Sequence, residues 1–232
     1  MQPVYSGESE VVGVSRPDFL RKTYFYLAGA ILAFAAVSFV LGSLGVGKIM
    51  LQWMSTSKYM WLAFLGVFMV VGWLASHMAD SSANESTQLA GLGGYVIAES
   101  LIFAPMFTLA NLIAPDAIPA AAFVTLLLCG GLTWTAISSK SDFSFLGGIL
   151  KIGGLCAIGA IVASVIFGFS LGIWFSAIMI IFAGGCVLYD TAQILHHYPT
   201  DRPAGAALHL FASVALMFWY VLRLIMELSG RD

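Results

Sequence analysis

Of the 232 residues, 60% are hydrophobic and only 9% are Asp, Glu, Lys or Arg. Soluble domains carry about 25% charged residues, so the composition excludes a water-soluble globular protein and points to a bilayer. A net charge of −2 with no basic run argues against a nucleic-acid partner.

Residues 1–20 include Glu8, Glu10, Arg16 and Asp18 and no apolar core, so they read as a cytosolic tail rather than a cleavable signal peptide. The remainder, 21–232, reads as one transmembrane domain. A spanning helix needs roughly 20 mainly apolar residues. Seven stretches meet that need, at about 24–44, 59–76, 89–113, 118–137, 149–167, 171–189 and 206–228. Between the fifth and sixth stand only Gly168, Phe169 and Ser170. A tight turn is predicted there, because one unbroken helix would overshoot the bilayer. Pro105 lies inside the third span and is expected to kink it, freeing a backbone carbonyl.

The loops are short and leave no soluble domain to carry an activity. With the amino terminus inside, that side collects Arg16, Arg21, Lys22, Lys140, Lys151 and Arg202. The opposite side has Lys48, Lys58 and Arg231, with Arg223 near a helix end. The excess favours a cytosolic amino terminus and an outer carboxyl terminus.

Several stretches imitate motifs. Gly42 to Lys48 spells G-x-x-x-x-G-K, but Ile49 replaces the Ser or Thr of a phosphate loop, and an apolar helix precedes it. Gly168 to Gly172 spells G-x-S-x-G without a strand-turn-helix context. Asn84-Glu85-Ser86 is a formal glycosylation sequon on the predicted cytosolic side. His196-His197 reads as a solvated loop pair rather than a metal site. Cys129, Cys156 and Cys186 lie apart in apolar runs and read as small buried residues.

The ionisable residues within the predicted spans are Glu99, Asp190, His209, Arg223 and Glu227. A carboxylate at membrane depth is a candidate functional group. Asp190 falls at the end of the sixth span, where the plainer role is a helix cap or an interfacial partner. His209 and Ser213, four residues apart on one face of the last span, come to a comparable depth. Burial and a neighbouring cation act in opposite senses on a carboxylate's protonation. If His209 is the partner of Asp190, the pair can change charge near neutral pH; otherwise it is a polar cluster joining two helices. Glu99 sits near mid-membrane, either protonated or facing a polar cavity. Arg223 is expected to snorkel toward the outer headgroups.

Four anchors carry a resemblance: Leu20-Arg21-Lys22-Thr23-Tyr24, Gly131-Leu132-Thr133 with Lys140 to Gly147, Leu188-Tyr189-Asp190-Thr191, and Ala206 to Phe211 ending at Leu222-Arg223-Leu224. Together, in that order, the chain resembles the transmembrane Bax-inhibitor-motif family. Its Arg-Lys-Thr-Tyr-Phe start and Ser-Gly-Arg-Asp end are similar to the bacterial branch that modulates the FtsH protease.

The resemblance implies an all-α, polytopic seven-helix bundle with the last helix central, most simply in the bacterial inner membrane. It further implies a calcium or proton leak governed by two aspartates. One matches Asp190; the other falls at Ser213, so half of the pair is absent. Arg223 matches a basic residue of the family's last helix. Asp190 alone would hold Ca²⁺ weakly.

The expected function is a pH-responsive cation leak centred on Asp190 with His209 and Ser213. The alternative is a non-transporting modulator of a membrane protease, acting through the tail Met1 to Pro17. No cofactor is expected beyond transported Ca²⁺. No enzyme is expected either, since an intramembrane aspartyl protease needs two aspartates to divide the acid and base roles.

Overall fold

The computed structural model describes residues 15–57, 59–81, 84–139 and 143–230. Most of the amino-terminal tail lies outside them, as do Lys58, Lys140 and Arg231 of the charge asymmetry. The described residues form eight α-helices: α1 Arg16–Ser43, α2 Val46–Thr56, α3 Met60–Ser81, α4 Glu85–Ile113, α5 Ala117–Ser138, α6 Leu146–Phe167, α7 Gly172–His196 and α8 Pro203–Ser229. A short 3₁₀ turn, Phe143–Phe145, leads into α6. No strand occurs among the described residues.

All helices except α2 are long and apolar enough to cross a membrane. These are the seven expected spans, most of them extended by local signals. Ser15 caps α1, accepting a hydrogen bond from the Asp18 amide, with proline in the first turn. Asn84 caps α4 through the Ser86 amide. Pro203 opens α8. The turn between α6 and α7 is as expected: Gly168 and Gly172 have φ of +75° and +63°, which glycine tolerates without steric cost.

Four expectations need correction. Of the three cysteines expected to be buried only Cys129 is; Cys186 is half-buried, and Cys156 is exposed on the peripheral α6. The stretch between the first two spans is not plain loop, because Val46–Thr56 forms α2, whose eleven residues are too few to cross. Asp190 does not end its helix: α7 continues six residues further, so a capping role is ruled out by position. His196 is the last residue of α7 rather than a loop residue.

We call the end where α1 begins the near end, and the opposite end the far end. α8 packs against α1, α3, α4, α5 and α7 and is the centre of the bundle, as the resemblance implied. α4 is its main neighbour in depth of burial, and contains Pro105 without interruption. α6 lies at the periphery, with Gly147 its only fully buried residue. Small residues set the close approaches. A Cβ on Gly91 of α4 would stand 2.8 Å from the Ala75 carbonyl of α3, so only glycine allows those backbones together.

Candidate functional site

α7 and α8 lie against one another along much of their length. Gly184 of α7 faces both neighbours there: a Cβ at that position would stand 3.3 Å from Leu132 of α5 and, at ordinary contact distance, 3.7 Å from Met217 of α8. Just beyond that crossing, the Ser213 hydroxyl of α8 donates to the Asp190 carboxylate. Ser213 is buried and Asp190 half-buried. The expected meeting of Asp190 with Ser213 therefore exists.

His209 pairs elsewhere. One turn nearer the start of α8, its Nε2 lies 2.8 Å from Oδ2 of Asp80, the penultimate residue of α3. Asp190 remains close enough for the two charges to interact, but the direct partner is Asp80. The reason is geometric. α3 ends beside the start of α8 and offers a carboxylate at the His209 level, while Asp190 sits level with Ser213.

Asp80 is the organising group that the sequence did not single out. It also accepts a hydrogen bond from the Tyr198 hydroxyl, and its backbone carbonyl accepts one from Arg202. Burial, and then the bond to Asp80, pushes the Tyr198 phenol above its ordinary range, so it stays a donor. Gly205 makes room for the cluster: a Cβ there would stand 2.6 Å from the Tyr198 hydroxyl and 2.8 Å from Asp80 Oδ1. One signal was available, an acidic residue within a turn of the end of an apolar span. Its partner, 129 residues away, leaves no local trace.

The near end is knitted further around this cluster. Arg16 reaches the carbonyls of Tyr198 at 2.7 Å, His196 at 3.2 Å and Ile194 at 3.3 Å. Phe19 stacks on the Tyr198 ring. The Gln88 amide donates to the Asp201 carbonyl at 3.0 Å. Lys22 of α1 pairs with Glu85 of α4 at 3.3 Å, and Tyr26 donates to the same carboxylate.

Toward the far end the bundle is open. A cavity of about 1010 Å³ extends from α2 and the α6–α7 turn to Ser213. Glu99, buried midway along α4, lines it, with Tyr95 one turn earlier as hydrogen-bond neighbour. Glu99 thus faces a cavity, but one with mainly apolar walls rather than the polar cavity expected.

Arg223 also lines this cavity and does not snorkel freely. Its Nε lies 3.0 Å from Glu227 Oε1, while Ser176 of α7 donates to the other oxygen of Glu227 at 3.1 Å. Among the described residues no three His, Cys, Asp or Glu side chains converge as a metal site. The arrangement is thus a wide cavity that ends on a serine–aspartate pair, with an aspartate–histidine–tyrosine cluster behind it.

Residues 16–230 match the family model described as inhibitor of apoptosis-promoting Bax1. A stretch of 110 residues is 28% identical to the uncharacterized protein PA2604 of Pseudomonas aeruginosa, covering 47% of this chain and 49% of that relative. The similarity therefore spans about half the length of the curated relative.

Proposed function

Because the chain belongs to the Bax-inhibitor family of multi-pass helical membrane proteins, we propose that it is a pH-responsive leak for small cations, protons or Ca²⁺, governed at Asp190. The observation that carries this reading is the cavity that reaches from the far end to Ser213, whose hydroxyl is bonded to Asp190. A cation entering that cavity meets Glu99 in the wall and then the Asp190–Ser213 pair. Beyond them only one turn of α8 separates Ser213 from His209 and Asp80, which lie toward the near end.

In this reading the hydrogen bond from Ser213 holds the Asp190 carboxylate across the path. Protonation of Asp190 removes the charge that attracts the cation and weakens the bond that fixes it. The His209 imidazole, paired with Asp80, is the next ionisable group along α8. Ca²⁺ takes 6–8 oxygen ligands, which favours the proton as the species this pair passes most readily.

The test is flux of protons and of Ca²⁺ in proteoliposomes from pH 5 to 8, with wild type beside Asp190→Asn, His209→Ala and Ser213→Asp. Flux lost in Asp190→Asn and made more pH-sensitive by Ser213→Asp supports the leak. Flux no higher than in empty vesicles at every pH overturns it. That outcome turns attention to a membrane protease of the FtsH type, assayed by pull-down with and without residues 1–14.

A further inference from the structure

A second cavity, of about 750 Å³, opens on the other side of α8 between α1 and α5. Both helices pack on α8, without an extensive contact between them. The cavity is therefore a lateral cleft, closed at the back and open toward the bilayer. Its inner wall is aromatic: Phe34 meets Phe107, Phe211 and Phe218 at centroid distances of 5.9 to 6.4 Å. Exposed Phe39, Leu112 and Leu126 border the opening.

Water has few partners in such a cleft, and dry apolar cavities stay empty of it. The volume falls within the roughly 300–1,000 Å³ of ligand pockets. In a bilayer the species available to fill it is a lipid chain.

Polar groups stand at the far-end limit, with Thr108 and Thr125 deeper in the wall. Ser43, Lys48 and Asn111 line the cleft at its far-end limit. Lys48 is brought there by α2, which Gly47 seats directly on α4, since any Cβ at that position would collide with Thr108 and the Ala104 carbonyl. Ser38 lines the cleft five residues before the end of α1, with a buried hydroxyl that has no protein partner. At about 1.5 Å per residue it lies roughly 7 Å below Ser43. The headgroup layer is roughly 5–8 Å thick on each side of the hydrocarbon, so the offset from Ser43 to Ser38 matches the depth over which a headgroup gives way to its chains, and Lys48 lines the same cleft.

We propose that the α1–α5 cleft binds an anionic phospholipid, with an acyl chain against the Phe34 cluster, the phosphate at Lys48 and the ester beside Ser38. The lysine selects an anionic headgroup over one whose own cation neutralises the phosphate. This site is separate from the Asp190 cavity, and its test is independent of ion flux.

The experiment measures the unfolding temperature of delipidated protein in detergent, with phosphatidylglycerol, with phosphatidylcholine of the same chains, and with inorganic phosphate. At lipid about 100-fold above its Kd, phosphatidylglycerol should raise the midpoint by roughly 5 °C. Phosphatidylcholine should give less than half of that, and phosphate no change. Lys48→Gln should abolish the difference between the two lipids, and Ala122→Trp, which fills the cleft, should abolish both effects.

Equal shifts with the two lipids in wild type overturn the proposal, as does an equal shift from phosphate alone. A full lipid response in Ala122→Trp overturns it too. Should that variant not fold, mass spectrometry of lipid retained by wild type and Lys48→Gln decides, with equal phosphatidylglycerol in both counting against the site. A dimer with no lipid response would assign the cleft to a second copy of the chain and equally overturn it.

Discussion

His209 Nε2 lies 2.8 Å from Asp80 Oδ2, so the central helix α8 is tied to the end of α3. The same carboxylate accepts from Tyr198, which makes Asp80 the shared anchor of three chain segments. Removing the anchor should therefore do more damage than removing either partner. His209→Ala is expected to lower the unfolding free energy by about 1 kcal/mol, the scale of a charged hydrogen bond screened by partial exposure. Asp80→Ala should lower it by about 2 kcal/mol, because two donors lose their acceptor. Denaturant unfolding in detergent measures both, and the double variant should show a coupling of at least about 0.5 kcal/mol.

Tyr198 gives the cluster an alkaline limit. Its phenol is raised by burial and by the bond to Asp80, so the folded protein holds that proton more tightly than the unfolded chain. The resulting stabilisation is complete below the unfolded value near 10 and is lost as pH climbs toward the folded value. Between pH 5 and 8, wild type should exceed Tyr198→Phe by a constant amount of about 1 kcal/mol. Above pH 10 the two stability curves should converge. A gap that changed between pH 5 and 8 would contradict this assignment.

The glycines divide into those that carry a contact and those that do not. Gly91→Ala drives a methyl into the Ala75 carbonyl, and Gly205→Ala drives one into Tyr198 and Asp80. Each should cost about 1–3 kcal/mol as an overpacked interface. Gly29 of α1 has no neighbour within 4 Å. There Gly29→Ala should be neutral or stabilise by up to about 1 kcal/mol through helix propensity. Thermal midpoints of the three variants provide the comparison.

Arg16 closes the end of α7. The last carbonyls of a helix lack internal partners, and Arg16 gathers those of Ile194, His196 and Tyr198. Arg16→Ala should destabilise by about 1–2 kcal/mol, combining lost hydrogen bonds with a lost cation at the negative end of the helix. Arg16→Lys should recover less than half, because an ammonium cannot reproduce the planar fork. Faster amide exchange at His197 and Tyr198 would report the loosened end.

Hydropathy revealed the seven spans because bilayer thickness imposes a length that few other structures share. A window of spanning length could not reveal α2, whose eleven residues do not fill one and whose Gly47 fits onto α4. Caps such as Ser15 and Asn84 were visible as residue types but lay outside the apolar windows. The nearness of Asp190 to Ser213 was legible because α7 and α8 are consecutive and antiparallel, so depth alone brings the two together. Asp80 was not legible, since which helix end stands beside His209 depends on the packing order of the bundle.

The most enclosed helix, α8, follows the other described helices in the chain and is translated after them. Until it enters the membrane, α1, α3, α4, α5 and α7 lack their common neighbour, and Asp80 and Asp190 lack His209 and Ser213. A nascent chain at that stage has Asp190 without its hydroxyl partner and Asp80 with Tyr198 but without His209. Assembly around the centre of the bundle thus waits for α8, and a ribosome that stalls before α8 leaves a product whose Asp190 has no Ser213.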